Sequence, residues 1–266
     1  MDLLQYAFFQ NALIGSLLTA IACGIVGTYI VSRRLVFISG GITHASFGGF
    51  GLGFLSGNKS DLDGDAVLHP LRFWRGVASK TQNVGGFRHS GRMVAGYGFG
   101  RDLYLPYAGY APNLSAYLFG NILTISTADI LWILGLVVLL ILIFSLFLRE
   151  IVYVAFDRDF AVTQGLPVKW IEYTMMCFIA MTIVLSIRLV GIMLLMSLLT
   201  LPQITVNLFT SDFKKIMWGS IAIGFLGCVS GLVLSYFLNV PSGAFIILFL
   251  VVLFLALKAI KPLLRR

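Results

Sequence analysis

His44 is the one histidine inside an apolar run, and so the first side chain that could hold a metal or move a proton. An ionisable group inside a membrane is costly and is a functional candidate for that reason; imidazole suits zinc and other transition metals. No second His, Cys or carboxylate stands at helical ligand spacing from it, so a neutral His44 bonded to a neighbouring helix accounts for the residue as well. Asp2 and Asp129 border apolar runs, where they either attract a cation or serve as solvated loop-end carboxylates. His69 and His89 fall in a polar segment, residues 58–106, and carry no weight. Cys23, Cys177 and Cys228 are scattered through apolar stretches without paired spacing, which makes neither a disulfide framework nor a zinc site and leaves them packing roles. Residues 53–60 read G-F-L-S-G-N-K-S, close to a phosphate-binding loop. Asn58 replaces the glycine that lets backbone wrap phosphate, and an apolar run precedes the motif in place of a soluble strand, so it is a chance near miss. Any ATP hydrolysis must come from another chain.

The elements that must position these groups are membrane helices. Of 266 residues, 59% are apolar and only 11% charged, with mean hydropathy +0.95. A soluble domain carries about 25% charged residues. Runs long enough to cross a bilayer occupy residues 11–31, 35–55, 130–148, 171–187, 189–209, 216–238 and 243–260, seven in all. None alternates with period two, which excludes an outer-membrane barrel. The fold class is therefore all-α, a polytopic α-helical membrane protein with a single transmembrane domain over residues 1–266. Residues 1–10 hold Asp2 and no basic residue, unlike a secretory signal, so the first run is expected to remain in the mature protein.

Net charge +8 does not indicate nucleic acid, because the basic residues lie between apolar runs and face anionic lipid. With Arg33 and Arg34 placed in the cytoplasm, eleven of the twelve basic residues outside 58–106 fall inside, and only Arg188 falls outside, in a tight turn between spans. That predicts an N-out, C-in orientation. Gly41, Ala45, Gly49 and Gly53 form one small-residue stripe, and Gly227, Gly231 and Ser235 another. Both predict close helix packing and no chemistry.

Residues 58–106 break the pattern, holding seven of the nineteen basic residues and four of the eleven acids. Charges at the bilayer centre cost about 2.5–3.5 kcal/mol each, so as written the segment is extramembrane. Two readings stay open: a genuine exposed insertion, or a compensated frameshift in the gene or its sequencing that replaces two helices. Reading the codons of residues 85–107 one register over forces no charged residue and permits an apolar span. The nucleotide sequence separates the two; codons without an apolar alternate frame would sink the frameshift.

Between Arg149 and Lys169 the chain is expected to be a cytoplasmic connection. The acidic start at Asp157 and Asp159, small Ala161 and the stop at Gly165 predict a short helix, of a kind that can dock in a partner's groove. An ordinary connecting loop is the other reading.

Gly41-Ile42-Thr43-His44-Ala45-Ser46-Phe47-Gly48-Gly49, ending in Gly53, resembles the early signature of bacterial metal ABC importer permeases, the zinc, manganese and iron chelate group. Phe156-Asp157, Phe160-Ala161 and Gly165-Leu166-Pro167 are similar to that family's coupling loop. Ile187-Arg188-Leu189-Val190-Gly191, then Leu201-Pro202, and Asn239-Val240-Pro241-Ser242-Gly243 look like its later blocks. The resemblance implies a type II ABC-importer-like permease of eight or nine helices in the bacterial inner membrane. It implies a homodimer whose residues 156–167 seat on a separate ATP-binding subunit, with a periplasmic or lipid-anchored metal-binding protein delivering a divalent ion, zinc first. The chain would bind no cofactor and catalyse no covalent step; ATP would sit on the partner. The rivals are a secondary transporter or cation channel with no ATPase, and a membrane-embedded enzyme built on His44.

Overall fold

The structure is a computed structural model that describes residues 7–43, 46, 125–238 and 240–264. Eight helices organise the described chain: α1 (Ala7–Ser32), α2 (Thr127–Phe156), α3 (Arg158–Thr163), α4 (Val168–Val190), α5 (Ile192–Leu198), α6 (Leu201–Asn207), α7 (Phe213–Leu238) and α8 (Ser242–Leu264). Residues 36–43 are helical as well, entered through a turn in which Arg34 takes a left-handed φ of 57°. Five helices, α1, α2, α4, α7 and α8, are long and apolar enough to cross a membrane. They are helical because a bilayer offers backbone groups no water, and an α-helix satisfies them within the segment.

Named contacts set the directions. At one end of the bundle Asn11 Nδ2 on α1 donates to the Ile125 carbonyl just before α2 (3.4 Å). At the other end Arg33, just past α1, reaches the Val154 carbonyl near the end of α2 (3.0 Å) and Glu172 near the start of α4. Thus α1 and α2 run parallel and α4 runs against both. Gly24 faces Ile221 while Ala20 faces Gly224, so α7 is antiparallel to α1. Gly231 meets Ile246 and Gly227 meets Leu250, which makes α8 antiparallel to α7. Of the five spans α1 is the most buried and α8 the least. This threading gathers Arg33, Arg34, Arg149, Arg158, Lys169, Lys214, Lys215, Lys258 and Lys261 at one end. Among the described basic residues only Arg188 lies at the other, where it pairs with Asp129 (3.2 Å).

Three expectations are corrected. The span expected over 130–148 does not end there: after a kink at Phe147 (φ −116°, ψ 21°) helix resumes to Phe156, with Ile151, Val154 and Ala155 on a buried face. Arg188 lies in the last turn of α4 instead of a loop, and the helix ends at Gly191, whose φ of 77° suits glycine. The span expected over 189–209 is not one helix. It breaks at Leu199-Thr200 into α5 and α6, and sixteen residues of helix reach about 24 Å, short of a hydrocarbon core of about 30 Å. Pro202, second in α6, has no N–H to extend a ladder from α5.

Gln203 holds the break. Fully buried, its Nε2 donates to the Leu198 carbonyl at the end of α5 (3.1 Å) and to the Cys23 carbonyl on α1 (2.8 Å). Gly27 permits this approach, since a Cβ there would stand 2.8 Å from the Leu199 carbonyl oxygen.

Candidate functional site

The segment from Tyr153 to Glu172 is built from short-range rules. Asp157 leaves the helical region (φ −141°, ψ 98°), which ends α2, and its Oδ1 then accepts the Phe160 N–H (2.9 Å), which starts α3. A side-chain N-cap of this kind is worth about 1 kcal/mol. Thr163 Oγ1 donates back to the Phe160 carbonyl (2.8 Å). Gly165, with φ 73°, reverses the chain, and the Leu166 N–H closes on the Ala161 carbonyl (3.2 Å). Pro167 leads directly into α4.

The underside of α3 is apolar and closed. Ala161 is fully buried against Val154 and Val168, with Tyr153, Leu166 and Ile171 around them. Tyr153 and Phe160 meet edge to face at 5.6 Å. The outer side is open: Asp159, Phe160 and Val162 are exposed, as are Phe156 and Trp170 on the flanking helices. Phe156 touches Phe213 at the start of α7, with centroids 6.4 Å apart. The six-residue helix therefore bears on α2 and α4, while the end of α2 beside it reaches the start of α7.

A charge cluster lies beside it. Glu172 Oε1 accepts from Arg33 Nη2 at 2.6 Å and from Arg158 Nε at 3.3 Å, while Arg33 Nη1 holds the Val154 carbonyl. The side chains of Arg33 and Glu172 are about one quarter exposed and that of Arg158 nearly half. At such exposure each pair is worth about 1 kcal/mol or less. Local sequence reading missed this cluster; the only signal was an acid, Glu172, one turn inside an apolar run whose nearest acid is Asp159.

The other expected site residues fall elsewhere. His44, Ala45, Gly49, Gly53, Asp2 and residues 58–106 lie outside the described residues. Gly41 is partly buried in the helical stretch 36–43, and Thr43 in the same stretch donates to Met196 Sδ on α5 (3.4 Å). Gly231 stands where a Cβ would come within 2.9 Å of Ile246 Cα, and at Gly227 it would meet Leu250 at 2.5 Å, both between α7 and α8. Among the described residues no three His, Cys, Asp or Glu side chains gather as a metal site. Cys23, Cys177 and Cys228 are free thiols.

Long apolar helices with all but one of their described basic residues at one end, and a short capped helix displayed there, define a polytopic α-helical membrane protein. The chain belongs to the ABC 3 transport family, whose profile matches residues 5–69 and 93–261. Among its relatives, an uncharacterised membrane protein of Synechocystis is 36% identical over 92% of this chain and 88% of its own. A probable metal transport system membrane protein of Treponema pallidum is 30% identical over 97% of both chains. The manganese import system permease protein ScaB of Streptococcus gordonii is 27% identical over 97% of this chain and 93% of that one. In three dimensions the chain is similar to one from PsaBC of Streptococcus pneumoniae in complex with Fab: TM-score 0.83, 26% identity, 96% of this chain and 92% of that chain. A subunit of this family is a transport component and not a catalyst.

Proposed function

We propose that the chain is the membrane-spanning subunit of an ATP-driven importer of a divalent metal ion, manganese ahead of zinc, and that it works as a homodimer. The observation that carries the reading is α3: a capped helix seated by Ala161 on the bundle, with Phe160 and Val162 exposed. A short helix held from beneath and apolar outside fits a groove on a partner, here a separate ATP-binding subunit. A metal-binding protein would deliver the ion at the opposite face. Among the described residues, nine basic side chains at the α3 end and one at the other favour α3 and the C-terminus in the cytoplasm and the N-terminus outside, in the bacterial inner membrane. The preference for manganese comes from relatives whose names carry that metal; zinc rests on the early resemblance alone.

The test co-expresses the chain with its ATP-binding subunit and replaces residues 157–165 by a neutral linker. The ATP-binding subunit is expected to co-purify with the native chain and not with the variant. Metal uptake should follow the same pattern and be inhibited more strongly by excess manganese than by zinc. Uptake that persists without any ATP-binding subunit would instead establish the secondary transporter or channel.

A further inference from the structure

Glu172, we infer, is a positioning residue for coupling: its carboxylate links α3 to the core of the bundle through Arg158 on one side and Arg33 on the other. The inference rests on the proposed function above. One oxygen, Oε1, takes both arginines, at 2.6 Å from Arg33 and 3.3 Å from Arg158. Arg158 is the first residue of α3, and Glu172 lies in the second turn of α4. Arg33 follows α1, the most buried span, and its second nitrogen holds the Val154 carbonyl of α2. Movement of α3, which bears on α2 and α4 directly through Ala161, is carried on to Arg33 at the end of α1 through this carboxylate.

The folding of α3 does not need this contact. Asp157 caps the helix, Gly165 turns the chain after it, and Ala161 seats it on Val154 and Val168. What the ion pairs add is a link of unequal strength. The shorter Arg33 contact is about three-quarters buried, whereas Arg158 in the longer contact is nearly half exposed and screened by water. Arg158 is thus the leg that yields when a partner pushes on α3, while Glu172 stays with Arg33. A wholly apolar seat would offer no such graded release.

The experiment uses the complete complex in vesicles, with the ATP-binding subunit and the metal-loaded binding protein, and reads manganese uptake per ATP hydrolysed. In Glu172→Gln, which lies outside the docking helix, co-purification and basal ATP hydrolysis should stay within about twofold of the native complex, and Arg158→Gln is compared with it by uptake per ATP alone. Uptake per ATP should fall by up to about fivefold, the most that a link worth about 1 kcal/mol carries. The double variant should be no worse than Glu172→Gln alone, and Arg158→Lys should recover most of the ratio. If uptake and hydrolysis fall together, leaving their ratio unchanged, Glu172 only supports the fold and the inference is overturned. Additive losses in the double variant overturn it too. Coupled transport by the native complex with unaltered ratios in the variants sinks this inference alone. A native complex without ATP-dependent uptake sinks the proposed function and the inference together.

Discussion

Ala161→Asp is expected to detach α3 from the bundle and lower uptake about 100-fold while the spans stay folded. Ala161 is fully buried between Val154 and Val168. A carboxylate there would be buried without a partner, since the nearby cations Arg33 and Arg158 are already engaged by Glu172. Leaving a charge unpaired in an apolar contact costs at least about 3 kcal/mol, about two decades in the docked population. The damage should be largely local because the buried residues around Ala161 form a small cluster of their own, which shares partly buried Ile171 with the main core of α1, α2, α4, α5, α7 and α8. Hydrogen exchange over residues 157–165 should accelerate while α1 and α7 keep their protection, and Ala161→Ser should be mild. Native uptake by Ala161→Asp would mean that the seating of α3 has no part in transport.

Local pattern carried some of this architecture and long-range pairing did not. Five of the seven expected spans were legible because hydropathy is a bulk property that survives any arrangement of the helices. Asp157 and Gly165 were legible as the ends of α3 because a cap and a left-handed turn are decided within a few residues. The end of α2 was placed eight residues early because Arg149 and Glu150 read as a stop. The helix kinks beside them at Phe147, and beyond the kink Ile151, Val154 and Ala155 keep a buried face that Glu150 partly shares. The break between α5 and α6 hid inside a uniformly apolar run; Thr200 and Pro202 were its only local marks. Arg33 and Glu172 are 139 residues apart, and Gln203 and Cys23 are 180 apart. Nothing in a single sequence says which distant groups will meet.

The break itself yields the second large effect: Gly27→Ala should be among the most damaging single-methyl additions in the chain. The added carbon would lie 2.4 Å from Gln203 Nε2 and 2.8 Å from the Leu199 carbonyl oxygen. Neither neighbour moves freely. Leu199 is backbone at the break, and Gln203 is buried and fixed by two hydrogen bonds. Either α1 retreats, losing its packing, or the Gln203 amide swings out and leaves its donors unpaired. Overpacking and two lost buried bonds together cost about 3 kcal/mol or more. The apparent melting temperature in detergent and the yield of folded protein should both drop. The two obstacles can be separated, because Gln203→Ala removes the amide but not the Leu199 carbonyl. In the Gly27→Ala background that second change should restore part of the stability and never all of it, although alone it destabilises. A fully restored double variant would mean that backbone at the break does not limit the approach of α1; a fully tolerated Gly27→Ala would mean that α1 does not pack against the break at all.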